Sequence, residues 1–217
     1  MLITHIAHSE FLIVTESGYR IVTDPCDASC GYPVRKIAAD TVLVSHHHHD
    51  HDAVDLIEGD PTVIDYAGVR TITPDIRLTA IAGWHDDAHG AKRGGNLMFI
   101  LEAEGLRIAH LGDIGCMPEE GDLEMLKGLD LLMIPVGGFF TIDAGKAKEL
   151  IRRICPKTVI PMHYRTEYNA QWPIAPVDDF LKLTDGDYEH VAQIRVTAED
   201  VDCLPDTIVL KEPECDM

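Results

Sequence analysis

The residues best suited to chemistry in this sequence are clustered in one run, Ser45-His46-His47-His48-His49-Asp50-His51. His46 and His48 are two positions apart at the end of an apolar stretch, so on an extended backbone their imidazoles project to the same side. Asp50 and His51 follow where the chain must turn. Packing several imidazoles together without a cation costs repulsion or desolvation, and the run is internal, unlike a purification tag. The pattern therefore predicts a metal site, with zinc favoured and manganese or iron also compatible.

Three further candidate ligands, His85, Asp113 and His163, each follow an apolar run that predicts a strand. α/β folds commonly place functional residues just past the carboxyl ends of strands. We therefore expect these three side chains to meet the histidine run at one edge of a sheet.

These residues resemble the signature of the metallo-β-lactamase superfamily, which is His-x-His-x-Asp-His after a strand, then a lone His, an Asp in a Gly-Asp pair, and a last His. Other stretches between residues 2 and 164 resemble a branch of small zinc-dependent hydrolases related to the ascorbate-phosphate lactonases. The resemblance implies an α/β fold, a four-layer αββα sandwich with the metals between the edges of the two sheets. It also implies two divalent metal ions, the first held by His46, His48 and His85, the second by Asp50, His51 and His163, with Asp113 bridging both.

The chemistry expected from such a centre is hydrolysis. Two cations lower the pKa of a shared water to about 7, and the bridging hydroxide would attack an ester, lactone or phosphoester. Asp50 is the candidate catalytic residue because it would orient this nucleophile as well as ligate. No Gly-x-Ser-x-Gly, P-loop or dinucleotide motif offers another mechanism. The alternatives are a mononuclear iron dioxygenase-like oxidoreductase on the same fold and a metal-binding module without catalysis.

Other polar residues near these motifs are candidates for supporting roles. Arg93, Tyr164 and Arg165 could bind an anionic group of a small-molecule substrate, or belong to a basic turn and a solvated loop. His110 shares a strand face with apolar residues and is expected to be buried and hydrogen-bonded near the ligands. His8 resembles a Gly-His position of the family, although alanine precedes it here. Two further pairs complete the set. Alternation turns His47 and His49 toward solvent, and Phe139-Phe140 could form an apolar wall of the site or pack in the core.

The remaining chain predicts the elements that carry these residues. Strand-like runs occupy the first half, and strands alternate with a helix at residues 141–154 in the second half, capped by Thr141 or Asp143. No repeat or linker interrupts the chain, so we expect one domain over residues 1–217. The predicted strands lie at residues 2–7, 11–15, 19–23, 41–45, 62–65, 76–82, 97–101, 106–111, 131–136, 158–162, 193–197 and 207–210.

Composition restricts the partners. The 217 residues include 18 basic and 37 acidic side chains, a net charge of −19 that disfavours nucleic acid and anionic membrane surfaces. No export signal or membrane-spanning stretch is evident, so we expect a soluble, cytoplasmic protein. The six cysteines lack a Cys-x-x-Cys pair and suit free thiols, with a redox or metal role left open for Cys26-x-x-x-Cys30. The sequence leaves open the substrate, the oligomeric state and the role of the acidic C-terminal segment.

Overall fold

The computed structural model describes residues 1–212, which contain β-strands, three α-helices and three short 3₁₀ helices. The α-helices are α1 (Glu120–Met125), α2 (Ala144–Ile154) and α3 (Val177–Leu181), and the 3₁₀ helices span Ala28–Cys30, Val54–Leu56 and Val201–Cys203. The strands are β1 (Leu2–Ala7), β2 (Glu10–Val14), β3 (Arg20–Thr23), β4 (Ile37–Ala38), β5 (Thr41–Leu43), β6 (Ile57–Glu58), β7 (Thr62–Ile64), β8 (Gly68–Thr73), β9 (Ile76–Trp84), β10 (Gly95–Ala103), β11 (Leu106–His110), β12 (Leu131–Pro135), β13 (Thr158–Met162), β14 (Tyr188–Val191), β15 (Ile194–Arg195) and β16 (Thr207–Leu210).

Two large sheets form the centre of the molecule. One has six strands in the order β15-β1-β2-β3-β5-β7, and the other has eight in the order β14-β16-β13-β12-β11-β10-β9-β8. Strands β3 and β5 run parallel in the first sheet, as do β11, β12 and β13 in the second. Since parallel neighbours end at the same sheet edge, the segments after these strands lie side by side.

The main hydrophobic core lies between the two sheets. Alternate residues of each strand point inward, and the largest of them, such as Phe11 from the first sheet and Phe99 from the second, are at most 1% exposed. Burying a side chain of this size contributes about 1.5–3 kcal/mol. The apolar face of each sheet therefore fixes which residues at the strand ends reach the shared edge.

All three α-helices cover the outer face of the eight-stranded sheet, through side chains such as Leu123, Leu150 and Phe180. Of the two predicted caps for α2, the structure selects Asp143, whose carboxylate accepts the Lys146 N–H at 2.9 Å. With 11 residues, α2 is the longest of the three, and within residues 1–212 no helix combines the length and apolar character needed to cross a membrane.

The outer face of the six-stranded sheet carries a thinner layer. Val22 and Val42 pack there against Ile37 and Ile57, which belong to the two-stranded β4–β6 sheet. The predicted α/β sandwich of the metallo-β-lactamase type is confirmed, and within residues 1–212 this outer layer is built from β4, β6 and the 3₁₀ helix Val54–Leu56. The crossover between β3 and β5 contains Gly31-Tyr32-Pro33, and a glycine and a proline this close together prevent a regular helix.

Candidate metal centre

The histidine run lies in the loop after β5, at the edge shared by both sheets. His46 is buried, and the loop folds back because the His51 N–H donates to the His48 carbonyl at 2.9 Å. This turn places Asp50 and His51 beside the alternating pair instead of beyond it. The structure therefore brings all four predicted ligands of the run to one place.

A first donor group consists of His46, His48 and His85, whose ligand atoms lie within 4.8 Å of one another. Their ring centroids are 4.5–5.1 Å apart. Burial, with a further contribution from His51, lowers the pKa of His46 to about 2. Burial also lowers the pKa of His85. Both imidazoles are therefore neutral at pH 7, the state in which histidine binds a metal.

A second donor group consists of His8, Asp50, His51 and His163, again with ligand atoms within 4.8 Å of one another. His8 is a full member, with its ring centroid 4.0 Å from that of His163 and its Nε2 3.8 Å from Asp50 Oδ2. The sequence predicted only a supporting role for His8. Its position directly after β1 is the same strand-end signal that identified the other ligands.

Asp113 joins the two groups. Its Oδ2 lies 3.5 Å from His85 Nε2 and 3.0 Å from His163 Nε2, while Oδ1 lies 3.3 Å from His51 Nε2. Burial alone would raise the pKa of Asp113, but His163 and His51 hold it well below its ordinary value. One carboxylate thus faces ligands of both groups, which is the arrangement that the resemblance implied for a bridging residue.

The turn that delivers Asp113 requires a glycine. Gly112 has φ 54°, and a Cβ there would lie 2.3 Å from Asn96 Oδ1 and 2.6 Å from Ser45 Cβ. Asn96 in turn accepts the Asp113 N–H at 2.8 Å. His110 contributes to the same turn, since its Nδ1 accepts the Gly112 N–H at 3.2 Å and its Nε2 lies 3.0 Å from the Ser9 carbonyl. His110 is therefore a buried support residue.

The donor set fits divalent cations. Among residues 1–212, several buried side-chain atoms of the two groups have no hydrogen-bond partner, and each could bind a metal. Buried polar atoms of this kind are costly unless a partner satisfies them. The unpartnered atoms are His8 Nδ1 and Nε2, His46 Nε2, His51 Nε2, His85 Nδ1, His163 Nδ1 and Nε2, and Asp113 Oδ1.

Asp24, which the sequence analysis did not identify, orients one ligand in each group. Its carboxylate accepts the Ser45 hydroxyl at 2.7 Å and lies 2.9 Å from His51 Nδ1. Since the Ser45 hydroxyl donates to Asp24, the His46 Nδ1–H must donate to Ser45 Oγ, 2.9 Å away. Nε2 of both histidines is thereby left free for a metal. Asp24 directly follows β3, a strand-end position like those of the predicted ligands.

A cavity of about 680 Å³ opens onto the centre and is lined by His48, Asp50, His85, Asp113, Phe140 and Trp172, among others. A second cavity of about 610 Å³ adjoins it at His48 and Arg93. The backbone of Arg93 is held in place because the Asp86 carboxylate accepts the backbone N–H groups of Lys92 and Arg93 at 2.9 and 2.7 Å. Of the three proposed substrate contacts, Arg93 therefore lines the cavities beside the candidate metal centre.

The other two proposed contacts lie elsewhere. Tyr164 is 5% exposed and packs in the core beneath the helices, outside the lining of both cavities, so the structure does not bring it to the site. The left-handed backbone of His163, with φ 52°, interrupts the alternation of β13, because Ile160 and Met162 face the core between the sheets whereas Tyr164 packs beneath the helices. Arg165 is exposed and outside the lining of both cavities, and its contact with substrate stays a prediction. The side chains of His47 and His49 are 65% and 63% exposed.

Comparison with known proteins identifies the family. The β-lactamase superfamily domain model matches residues 2–163. A UPF0173 metal-dependent hydrolase of Pelotomaculum thermopropionicum is 32% identical over 82% of this chain and 88% of its own length. A second UPF0173 metal-dependent hydrolase, of Thermococcus onnurineus, is 29% identical over 88% of this chain and 94% of its own length. A Thermotoga maritima crystal structure, described as a proposed zinc-dependent hydrolase, is 34% identical with a TM-score of 0.79 over 98% and 99% of the two chains. The chain therefore belongs to the metallo-β-lactamase superfamily, among its metal-dependent hydrolases.

Proposed function

We propose that this protein is a dinuclear metal-dependent hydrolase that attacks an ester, lactone or phosphoester with a hydroxide held between two divalent cations. The observation that carries the proposal is the pair of donor groups that share one carboxylate, Asp113. Each group has at least three ligand atoms within 4.8 Å of one another. A mononuclear centre would leave the buried atoms of one group without a partner.

Zinc is the proposed metal because the two groups consist of imidazole nitrogens and carboxylate oxygens. These donors suit zinc, and manganese and iron are accommodated by the same set. When bound, the cations would supply hydroxide at neutral pH and stabilise negative charge that develops on the substrate. The buried, neutral state of His46 and His85 favours this binding because no proton has to leave either ring first.

Asp50 is proposed to position the attacking water. Its Oδ2 faces His8 and His51 at 3.8 and 3.6 Å, and its side chain also lines the cavity where substrate would lie. A carboxylate in this position accepts a hydrogen bond from the water and holds an oxygen lone pair toward the substrate. Proximity of this kind is a substantial part of the rate acceleration in hydrolases.

The substrate is proposed to be a small molecule with an anionic group. The Arg93 guanidinium lies 5.5 Å from the centre of the Phe140 ring and makes no ion pair with any of residues 1–212. In a chain with a net charge of −19, a free arginine at the cavity is well placed to select a carboxylate or phosphate. Phe140 and Trp172 supply an apolar wall for the rest of the molecule.

The test combines metal analysis with Asp50→Asn and a matched control. We expect two zinc or manganese ions per chain, hydrolysis in a panel of esters, lactones and phosphodiesters, and at least a 100-fold loss of kcat in Asp50→Asn with its metals retained. Asp52→Asn makes the same change two residues away, at a carboxylate that faces His47, and should keep the wild-type rate. One iron per chain with oxygen uptake would establish the dioxygenase alternative instead. Full activity in Asp50→Asn would remove the role assigned to this residue.

A further inference from the structure

A second cluster of metal-binding side chains lies outside the two donor groups, at the mouth of the cavity. It consists of Asp27, Cys30 and His49, with one ligand atom from each within 4.8 Å of the others. Asp27 and Cys30 lie at the two ends of the 3₁₀ helix Ala28–Cys30, and His49 comes from the histidine run. None of the three is needed by the hydrolytic centre.

Two of the three donors are already fixed. Cys30 is fully buried, and the Asp27 carboxylate caps the 3₁₀ helix by accepting the Ser29 N–H at 2.8 Å. The helix is locked at its end because Gly31 has φ 85° and approaches the Tyr168 carbonyl so closely that a Cβ would lie 2.1 Å from its oxygen.

The third donor approaches the other two from the surface. His49 has a side chain that is 63% exposed, with Nδ1 3.2 Å from Ser29 Oγ. Zinc bonds of about 2.0 Å to nitrogen and about 2.3 Å to sulfur separate neighbouring ligands by about 3.5 Å. The three donor atoms, which lie within 4.8 Å of one another, are therefore already close to this spacing.

A second buried cysteine, Cys26, lies beside Cys30. Its hydrogen bond to Cys30 and its burial both raise the pKa of Cys26, which therefore stays a thiol and can donate to the Cys30 sulfur. The charges also balance, since a divalent cation with one thiolate and one carboxylate is neutral overall. A neutral site is far less costly to bury than a charged one.

We propose that Asp27, Cys30 and His49 form a third metal site of the zinc type, with one sulfur, one nitrogen and one oxygen from the protein and a water as fourth ligand. On binding, Cys30 loses its thiol proton to solvent as the metal–sulfur bond forms. Because His49 lies between His48 and Asp50 in sequence, an ion here fixes the loop that carries ligands of both catalytic groups. Ser29 and His49 also line the cavity, so the ion lies beside the path of substrate.

Cobalt(II) titration of the reduced, metal-free protein tests this site separately from hydrolysis. The catalytic groups contain only nitrogen and oxygen donors, so a cobalt–thiolate charge-transfer band in the near ultraviolet reports the third site alone. We expect three cobalt ions per chain and a thiolate band that accounts for one of them. Cys30→Ser should lose the band and one ion, and His49→Ala should weaken that ion at least about tenfold.

Two control variants make the result decisive. His47→Ala removes a histidine of similar exposure from the same run, and Cys155→Ser removes an exposed thiol, so both should keep the band. The proposal is overturned if no thiolate band forms, if the band survives in Cys30→Ser, or if it depends on Cys155. Should Cys30→Ser fail to fold, the exposed residue His49 provides the test, because an unchanged thiolate band in His49→Ala also overturns the proposed site.

Discussion

Replacing Asp24 with asparagine is expected to weaken the binding of both metal ions at once, although Asp24 is not a ligand. The carboxylate accepts the Ser45 N–H and hydroxyl at 2.7 Å each and lies 2.9 Å from His51 Nδ1. An asparagine side chain has one oxygen in place of two and no charge. Oδ2 of Asp24 serves both the Ser45 hydroxyl and His51 Nδ1, and Oδ1 serves the Ser45 N–H, so the amide group of asparagine must face at least one of these donors. One charge-assisted hydrogen bond is lost, about 1.5–3 kcal/mol. The affinity for zinc should therefore fall about 10–100-fold.

The assay is competition for zinc between the protein and a chelator of known affinity. Asp40→Asn is the matched control, since that exposed carboxylate also accepts a backbone N–H, from Arg20 at 2.7 Å, and should leave both ions unchanged. Ser45→Ala separates the two contacts of Asp24, because it removes the serine hydroxyl that links Asp24 to His46 and keeps the direct contact to His51. It should weaken one ion only. Wild-type affinity for both ions in a folded Asp24→Asn protein would refute the orienting role of Asp24.

Three other predictions follow from the described contacts. Gly112→Ala should lower the free energy of unfolding, measured by thermal denaturation, by about 3 kcal/mol or more, because the new Cβ would clash with Asn96. The control is Gly128→Ala, at a position with φ 68° and open space around it, which should lower the free energy of unfolding by only about 1–2 kcal/mol. Burial raises the pKa of Glu10 from 4.5 to about 7, so the contribution of Glu10 to stability should fall by about 3 kcal/mol as pH rises from about 4.5 to 7. Glu10→Gln should remove this contribution, measured as the difference between the wild type and the variant in denaturant titrations across that pH range. Arg93→Gln should raise KM about 10–100-fold for anionic substrates and leave neutral ones unchanged; an equal effect on both would exclude an anion-binding role.

The predicted ligands could be read from the sequence because each one directly ends an apolar strand. His85, Asp113 and His163 follow β9, β11 and β13 within three residues, and parallel or adjacent strands bring such positions to a common edge. Asp24 follows the same rule after β3, but a single carboxylate beside a turn carries no metal-binding pattern. Its role depends on contacts to residues 21 and 27 positions away, which no local spacing reveals.

The elements that the sequence analysis missed are short or exposed. Strand β8 is an edge strand without a buried residue, and α1 and α3 have six and five residues, too few for a helical period to emerge. Tyr164 was misplaced for a different reason. It was proposed as an anion contact because it is next to the ligand His163 in sequence, and adjacency to a ligand does not determine on which side of the strand a side chain packs.

The ligands of the candidate centre come from both sheets. His8 and the histidine run follow strands of the six-stranded sheet, whereas His85, Asp113 and His163 follow strands of the eight-stranded sheet. Bound ions would therefore cross-link the two halves of the sandwich along one edge. Binding of this kind adds its free energy to folding, about 4 kcal/mol when free metal is 1,000 times the dissociation constant. Metal supply would then influence the lifetime of the protein as well as its activity, since the metal-free chain is joined at that edge by apolar contacts and a few hydrogen bonds, such as Leu97 N–H to the Ser45 carbonyl, and offers proteases an earlier opening.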